Sequence, residues 1–167
     1  ENTNTIAQHG RRGANMQTLR VDHPDIEKFI EIKTGDVDMV KYSNISVLLT
    51  DEFMDAVQSD SDFDLHWGGK KYSTVKAKDL WMKIIEHAHS SAEPGLLFWD
   101  TMTKYHNAEY CSPLVSTNPC AEQPLPDGGC CNLGALNLER FVDQDGNFDF
   151  DGFKETTAVG ARFLDNV

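Results

Sequence analysis

Asn118, Cys120 and Glu122 stand two residues apart, and Cys130 and Cys131 follow in the same stretch, NPCAEQPLPDGGCCNLGALNL at residues 118–138. In an extended segment, side chains at i, i+2 and i+4 point the same way. In a helix Cys120 would face away from the other two, and Pro119 biases Asn118 away from the helical region. The spacing therefore predicts an extended run on which amide, thiol and carboxylate converge. Such a set offers a hydrogen-bonding group, a sulfur nucleophile or radical carrier, and a base. A loop with a buried cysteine between solvated polar residues stays open beside it, because free cysteine often behaves as a small core hydrophobe.

Metal chemistry fits the spacings less well. Structural zinc sites use close pairs such as C-x2-C, whereas Cys111, Cys120 and Cys130-Cys131 are widely separated. His106 lies near Cys111 but no second tight pair exists, so no metal is expected. The acidic run 143-DQDGNFD-149 lacks the glycine and glutamate that a calcium loop needs at its sixth and twelfth positions, which are Phe148 and Lys154 here. An exposed hairpin turn is the expectation. The histidines show no ligand spacing; His87 and His89 fall near a helix end, where positive charge is favoured.

The elements that would position these residues alternate between strand and helix. Met16–Val21 suits a short strand. Pro24 suits a first helical turn, with Ile26, Phe29, Ile30 and Lys33 at helical spacing and Gly35 at the end. The β-branched run 44-NISVLL-49 reads as a strand. Thr50 reads as an N-cap, with Asp51 and Glu52 in the first turn of a helix carrying Phe53, Met54 and Val57. A short strand is expected at 64–67, and a strong helix over 76–92 with an apolar stripe of Leu80, Trp81, Ile84, Ile85 and Ala88. Glu93-Pro94-Gly95 stops it. Residues 96–99 read as a buried strand and 101–117 as a long loop. The triplet 145–147 reads as a turn, and Asp151 as the cap of a last helix. This alternation predicts an α/β architecture with parallel pairing.

The chain has 167 residues, 40 % apolar and 25 % charged, with a net charge of −12. That suffices for one domain with a core, and no domain boundary is drawn. No stretch approaches the roughly 18 apolar residues of a membrane span, and no signal-peptide core is visible. The acidic balance argues against nonspecific binding to nucleic acid or anionic membrane. Four cysteines without a secretion signal suggest a reducing, cytoplasmic setting. The chain begins at Glu1 rather than Met and ends inside a helical pattern, which suggests a fragment truncated at both ends.

The stretch 118-NPCAEQPL-125 followed by 131-CNLGALNL-138 resembles the catalytic large chain of ribonucleotide reductase, most closely its adenosylcobalamin-dependent branch. The resemblance extends in order through 10-GRRGANMQTLRVDHPDIEKFI-30, 43-SNISVLLTDEFMDAV-57 and 92-AEPGLLFWD-100. It implies that residues 1–167 are the central part of a ten-stranded α/β barrel, with a radical cysteine on an internal finger loop. By resemblance that cysteine is Cys120, which takes the 3′-hydrogen of a ribonucleotide. Glu122 is then the base on the 3′-hydroxyl and Asn118 orients the substrate. Cys131 is one of a redox pair whose partner lies outside this sequence; Cys130 is an extra thiol beside it, and Cys111 has no assigned role. Gly10, Arg11, Arg12 and Gly13 fall in the family's specificity loop, which links an effector site to the substrate base.

The implied activity is reduction of ribonucleoside di- or triphosphates to deoxyribonucleotides for DNA synthesis. The reductant would be thioredoxin or glutaredoxin, the effectors deoxynucleotides or ATP, and the assembly a possible homodimer. Adenosylcobalamin is the expected cofactor; a metal-containing radical subunit is the alternative, and a non-catalytic cysteine-rich binding module is a reading of another class. The 167 residues alone are expected to be inactive.

Overall fold

The structure is a computed structural model that describes residues 7–8, 11–34, 40 and 42–167, without the side chains of 7, 8, 11 and 12. Two compact units divide at Gly128 and Gly129, and each is described by itself.

The first unit is built on a three-stranded sheet. Its strands are β3 (Asn15–Arg20), β4 (Ser43–Leu49) and β7 (Gly95–Phe98), in the order β3-β4-β7 and all parallel. The parallel pairing expected from the sequence is therefore present. β4 is central because its run of β-branched and apolar residues suits a strand covered on both faces. Between these strands lie the helices α1 (Ile26–Glu31), α2 (Asp51–Gln58) and α3 (Ala77–Ser91). A hairpin of β5 (Asp62–Trp67) and β6 (Lys70–Lys76) joins α2 to α3.

The two faces of β4 have different tasks. Val47 and Leu49 enter one core with Val21, Ile26, Ile30, Phe53, Phe63, Leu65, Leu80 and Ile84. Helices and hairpin thus cover this face, and each such side chain contributes on the order of 1.5–3 kcal/mol. Phe53 and Phe63 meet edge to face at 5.1 Å. Thr50 is the N-cap expected of it: its side chain accepts from the Phe53 N–H at 3.2 Å. Asn44, Ser46 and Leu48 alternate to the opposite face.

Several expectations are corrected. Pro24 lies in the turn before α1 rather than in the helix's first turn, and Gly35 lies outside the described residues. The strand at 64–67 is the inner part of a longer hairpin. Residues 101–117 are not one long loop, because α4 (Trp99–Tyr105) and β8 (Leu114–Thr117) occupy much of them. The strand 96–99 is only partly buried: Leu97 is buried, Phe98 is exposed and Trp99 already opens α4.

β8 pairs antiparallel with β9 (Pro124–Pro126). This hairpin lies on the face of the sheet that the helices leave open. Thr18 Oγ1 and Ser116 Oγ are 3.4 Å apart, and the Asn44 side-chain amide donates to the Pro119 carbonyl. At the N-terminal edge, β1 (Ala7–Gln8) and β2 (Arg11–Arg12) form an antiparallel pair.

In the second unit, residues 129–137 have no regular structure and lead to a short 3-10 turn over Leu138–Phe141. The turn at 145–147 is present. Gly146 donates to the Asp143 carbonyl at 3.1 Å with φ of 83°, and Val142 and Phe148 bridge antiparallel. The last helix, α5, spans Phe150–Asp165. Its cap is Asp149, not Asp151: Asp149 Oδ1 accepts from the Gly152 N–H at 2.9 Å.

Candidate active site

The β8–β9 hairpin carries Asn118, Cys120 and Glu122 together on the loop that joins its strands. The loop is not the extended run that the i, i+2, i+4 spacing predicts. Asn118 closes it from both sides: its N–H donates to the Gln123 carbonyl at 3.1 Å, and its carbonyl accepts from the Ala121 N–H at 2.9 Å. The Asn118 Oδ1 accepts from the Gln123 N–H at 2.9 Å. Ala121, between Cys120 and Glu122, has φ of 67°. That left-handed conformation costs a non-glycine residue about 1 kcal/mol, and it turns the chain so that the three side chains no longer alternate as on a strand. Local Asn hydrogen bonds compete with an extended backbone in this way.

Cys120 and Glu122 are exposed, and Asn118 is half-buried. Among the described residues, the Cys120 thiol, the Glu122 carboxylate and the Asn118 Nδ2 have no hydrogen-bond partner. An acceptor, a donor and a free thiol are thus available at one tip. Beside Cys120 opens a cavity of about 400 Å³, walled by Met16, Asn44, Ser46, Glu93 and Gly95. Its floor is the open face of the sheet at the N-terminal ends of β4 and β7.

One wall is ionic. Lys33 and Glu93 form a salt bridge with side chains only 13 % and 22 % exposed. Lys33 also donates to the Ser43 carbonyl, and Glu93 Oε1 accepts from the Ile45 N–H at 3.0 Å. The β4–β7 ladder begins at Ser46 and Gly95, so Glu93 satisfies the amide just before it. The sequence reading placed Lys33 only on a helix and Glu93 only in a helix stop, and it did not single out Asn44. The parity of Asn44, Ser46 and Leu48 within the strand was the available signal for that residue.

Cys131 belongs to the second unit and is exposed. The residues after it lie along α5. Asn132 Nδ2 donates to the Leu164 carbonyl at 3.0 Å, and a methyl on Gly134 would approach Leu164 Cδ1 at 3.2 Å. Of the residues that the resemblance assigns to a specificity loop, Arg11 and Arg12 form β2, Gly13 follows them and Gly10 lies outside the described residues. Among the described residues, no three His, Cys, Asp or Glu are grouped to hold a metal. No described helix is long and apolar enough to cross a membrane.

A family model for the ribonucleotide reductase barrel domain matches residues 1–167. The chain belongs to the ribonucleotide reductase family. It is 40 % identical over 168 residues to the vitamin B12-dependent ribonucleoside-diphosphate reductase of Thermoplasma acidophilum, covering 99 % of this chain and 22 % of that protein. It is 38 % identical to the enzyme of the same description from Mycobacterium tuberculosis, covering 94 % of this chain and 23 % of that one. The vitamin B12-dependent ribonucleotide reductase of Rhodopirellula baltica is 34 % identical, over 86 % of this chain and 16 % of the relative. The chain thus spans about a fifth of the length of these relatives.

Proposed function

We propose that this segment supplies the radical-bearing hairpin of an adenosylcobalamin-dependent ribonucleotide reductase, the finger loop inside a ten-stranded barrel that the longer polypeptide completes. The observation that carries this reading is the placement of Cys120. Its thiol, free of hydrogen bonds among the described residues, stands at the tip of a hairpin laid across the open face of a parallel sheet, beside a cavity.

In the proposed mechanism a Cys120 thiyl takes the ribose 3′-hydrogen: the S–H bond forms as C3′–H breaks. Glu122 accepts the 3′-hydroxyl proton, which requires a carboxylate within hydrogen-bond reach, and the Asn118 Nδ2 donor orients the sugar. The 2′-hydroxyl leaves as water after taking a proton from one thiol of a pair, Cys131 and a second cysteine elsewhere in the polypeptide. The pair then supplies two electrons and its second hydrogen to C2′, Glu122 returns its proton to O3′, and the two sulfurs end as a disulfide, which an external dithiol of the thioredoxin type reduces. Cys120 S–H then returns the hydrogen to C3′, regenerating the thiyl. Arg11 and Arg12, on a tight antiparallel pair, are proposed to contact nucleotide in the specificity loop.

An exposed thiol is the group that adenosylcobalamin chemistry needs, so the site fits that cofactor, and Cys120 is the residue of this chain that would meet it. When bound, the cofactor supplies the radical by homolysis of its cobalt–carbon bond. The test is conversion of cytidine diphosphate to its deoxy form by the full-length polypeptide that carries this segment, with adenosylcobalamin and a dithiol, and with Cys120→Ala as control. Turnover that disappears in the control supports the reading. Turnover that persists in Cys120→Ala overturns the role of Cys120. Turnover that requires a metal-radical subunit keeps the family and replaces the cofactor.

A further inference from the structure

The geometry points to Asn44 as a positioning residue for the Cys120 turn, held in place by the Lys33–Glu93 pair; this inference rests on the radical role proposed for Cys120. Asn44 sits between two clamped backbone groups. The carbonyl of Ser43, before it, accepts from Lys33. The N–H of Ile45, after it, donates to Glu93 at 3.0 Å. Lys33 and Glu93 are bonded to each other and largely shielded from solvent, so the two clamps form one bracket across the start of β4. Strand alternation then sends the Asn44 side chain to the face opposite Ile45. There its amide nitrogen donates to the carbonyl of Pro119, the residue immediately before Cys120.

This contact joins points 75 residues apart in sequence. The turn's other hydrogen bonds named above, from Asn118 to Ala121 and Gln123, are internal to the hairpin. They fix the shape of the turn but not its location over the sheet. Asn44 supplies location at the residue where it matters, since hydrogen abstraction needs the sulfur at near-contact distance from C3′. A displacement of about 1 Å can cost about 10²-fold in rate. The Asn44–Pro119 bond is exposed, so water replaces it at little cost to folding. Its loss is therefore expected in kcat rather than in stability.

The test uses the full-length polypeptide with cytidine diphosphate, adenosylcobalamin and a dithiol. Asn44→Asp keeps the size and removes the donor; Asn44→Ala removes the side chain. Both are expected to lower kcat by about 10²-fold with KM and the urea midpoint held. Amide exchange should rise at 118–123 and stay unchanged along β4. Asn44→Gln, which keeps an amide donor, is expected to recover part of the loss. A kcat equal to the parent's in Asn44→Asp, or a loss matched by faster exchange throughout β4, overturns the assignment. Cys120→Ser is run alongside. If it is inactive while Asn44→Asp turns over normally, the positioning role alone fails. If Cys120→Ser itself turns over, the radical reading fails and the inference with it.

Discussion

Replacing Gly95 by alanine places a methyl group where the structure has little room for one. Built on the existing backbone, its Cβ would stand 2.7 Å from Ser46 Oγ, but 3.7 Å from Ser46 Cβ and 3.8 Å from the Ile45 carbonyl. Only the first distance is a clash; the other two are ordinary contacts. Ser46 is 2 % exposed and lies on the central strand directly opposite Gly95, so its hydroxyl has few places to turn. Overpacking of this kind costs about 1–3 kcal/mol, and for a chain of this size each kcal/mol lowers the melting temperature by about 2–4 °C. The same distances predict a specific rescue. In Gly95→Ala/Ser46→Ala the offending oxygen is gone and only ordinary contacts remain, so most of the lost stability should return. Urea unfolding of the parent, both single variants and the double variant measures this coupling directly, read as midpoint shifts at constant slope. A Gly95→Ala chain as stable as the parent would refute the packing argument. So would a double variant no more stable than Gly95→Ala.

Two further outcomes are expected. Thr50→Ala removes the cap on α2 and should lower stability by about 1 kcal/mol, whereas Thr50→Ser, which keeps the accepting oxygen, should be close to parental in the same urea assay. Asp143 accepts hydrogen bonds from the backbone and side chain of Asn147, and these hold its carboxyl below the usual value of 3.8. Because the folded value is depressed, the stabilisation is fully present above the unfolded value and is lost as pH falls through the lower folded one. NMR titration should find the Asp143 carboxyl below an ordinary aspartate, and Asn147→Ala, which removes the side-chain donor but keeps the backbone N–H, should move it only part of the way back up; an unchanged titration in Asn147→Ala would refute the side-chain contribution.

Much of the first unit could be read from local pattern. β4 and α2 were legible because a β-branched run meets a threonine cap and two acids, a signal contained within 44–52. α3 was legible from its long apolar stripe, although Ile85 proves exposed. β6 was missed because nearly every residue in KKYSTVK is exposed, leaving no alternation to detect. α4 was missed for the same reason: WDTMTKY buries none of its residues. β9 is a strand with two prolines, which sequence rules demote, and without it Asn118, Cys120 and Glu122 read as extended rather than as a hairpin tip. The candidate residues themselves were legible by type. Their supports were not, since Asn44 reaches Pro119 and Glu93 reaches Ile45 only after the sheet has formed.

The division of labour along β4 constrains how this strand can vary. Val47 and Leu49 fill the helix-covered core, and even positions carry Asn44 and Ser46 to the face that holds the cysteine hairpin. A slip of one residue would exchange the two sets, turning an asparagine and a serine into the apolar core while Val47 and Leu49 turn toward the hairpin. A misaligned strand therefore loses its apolar contacts in the core and its hydrogen bond to the Cys120 turn at the same moment. Drift in this segment is filtered twice by a single alignment, so a chain that has found its stable fold has also set the residue that meets the Cys120 turn.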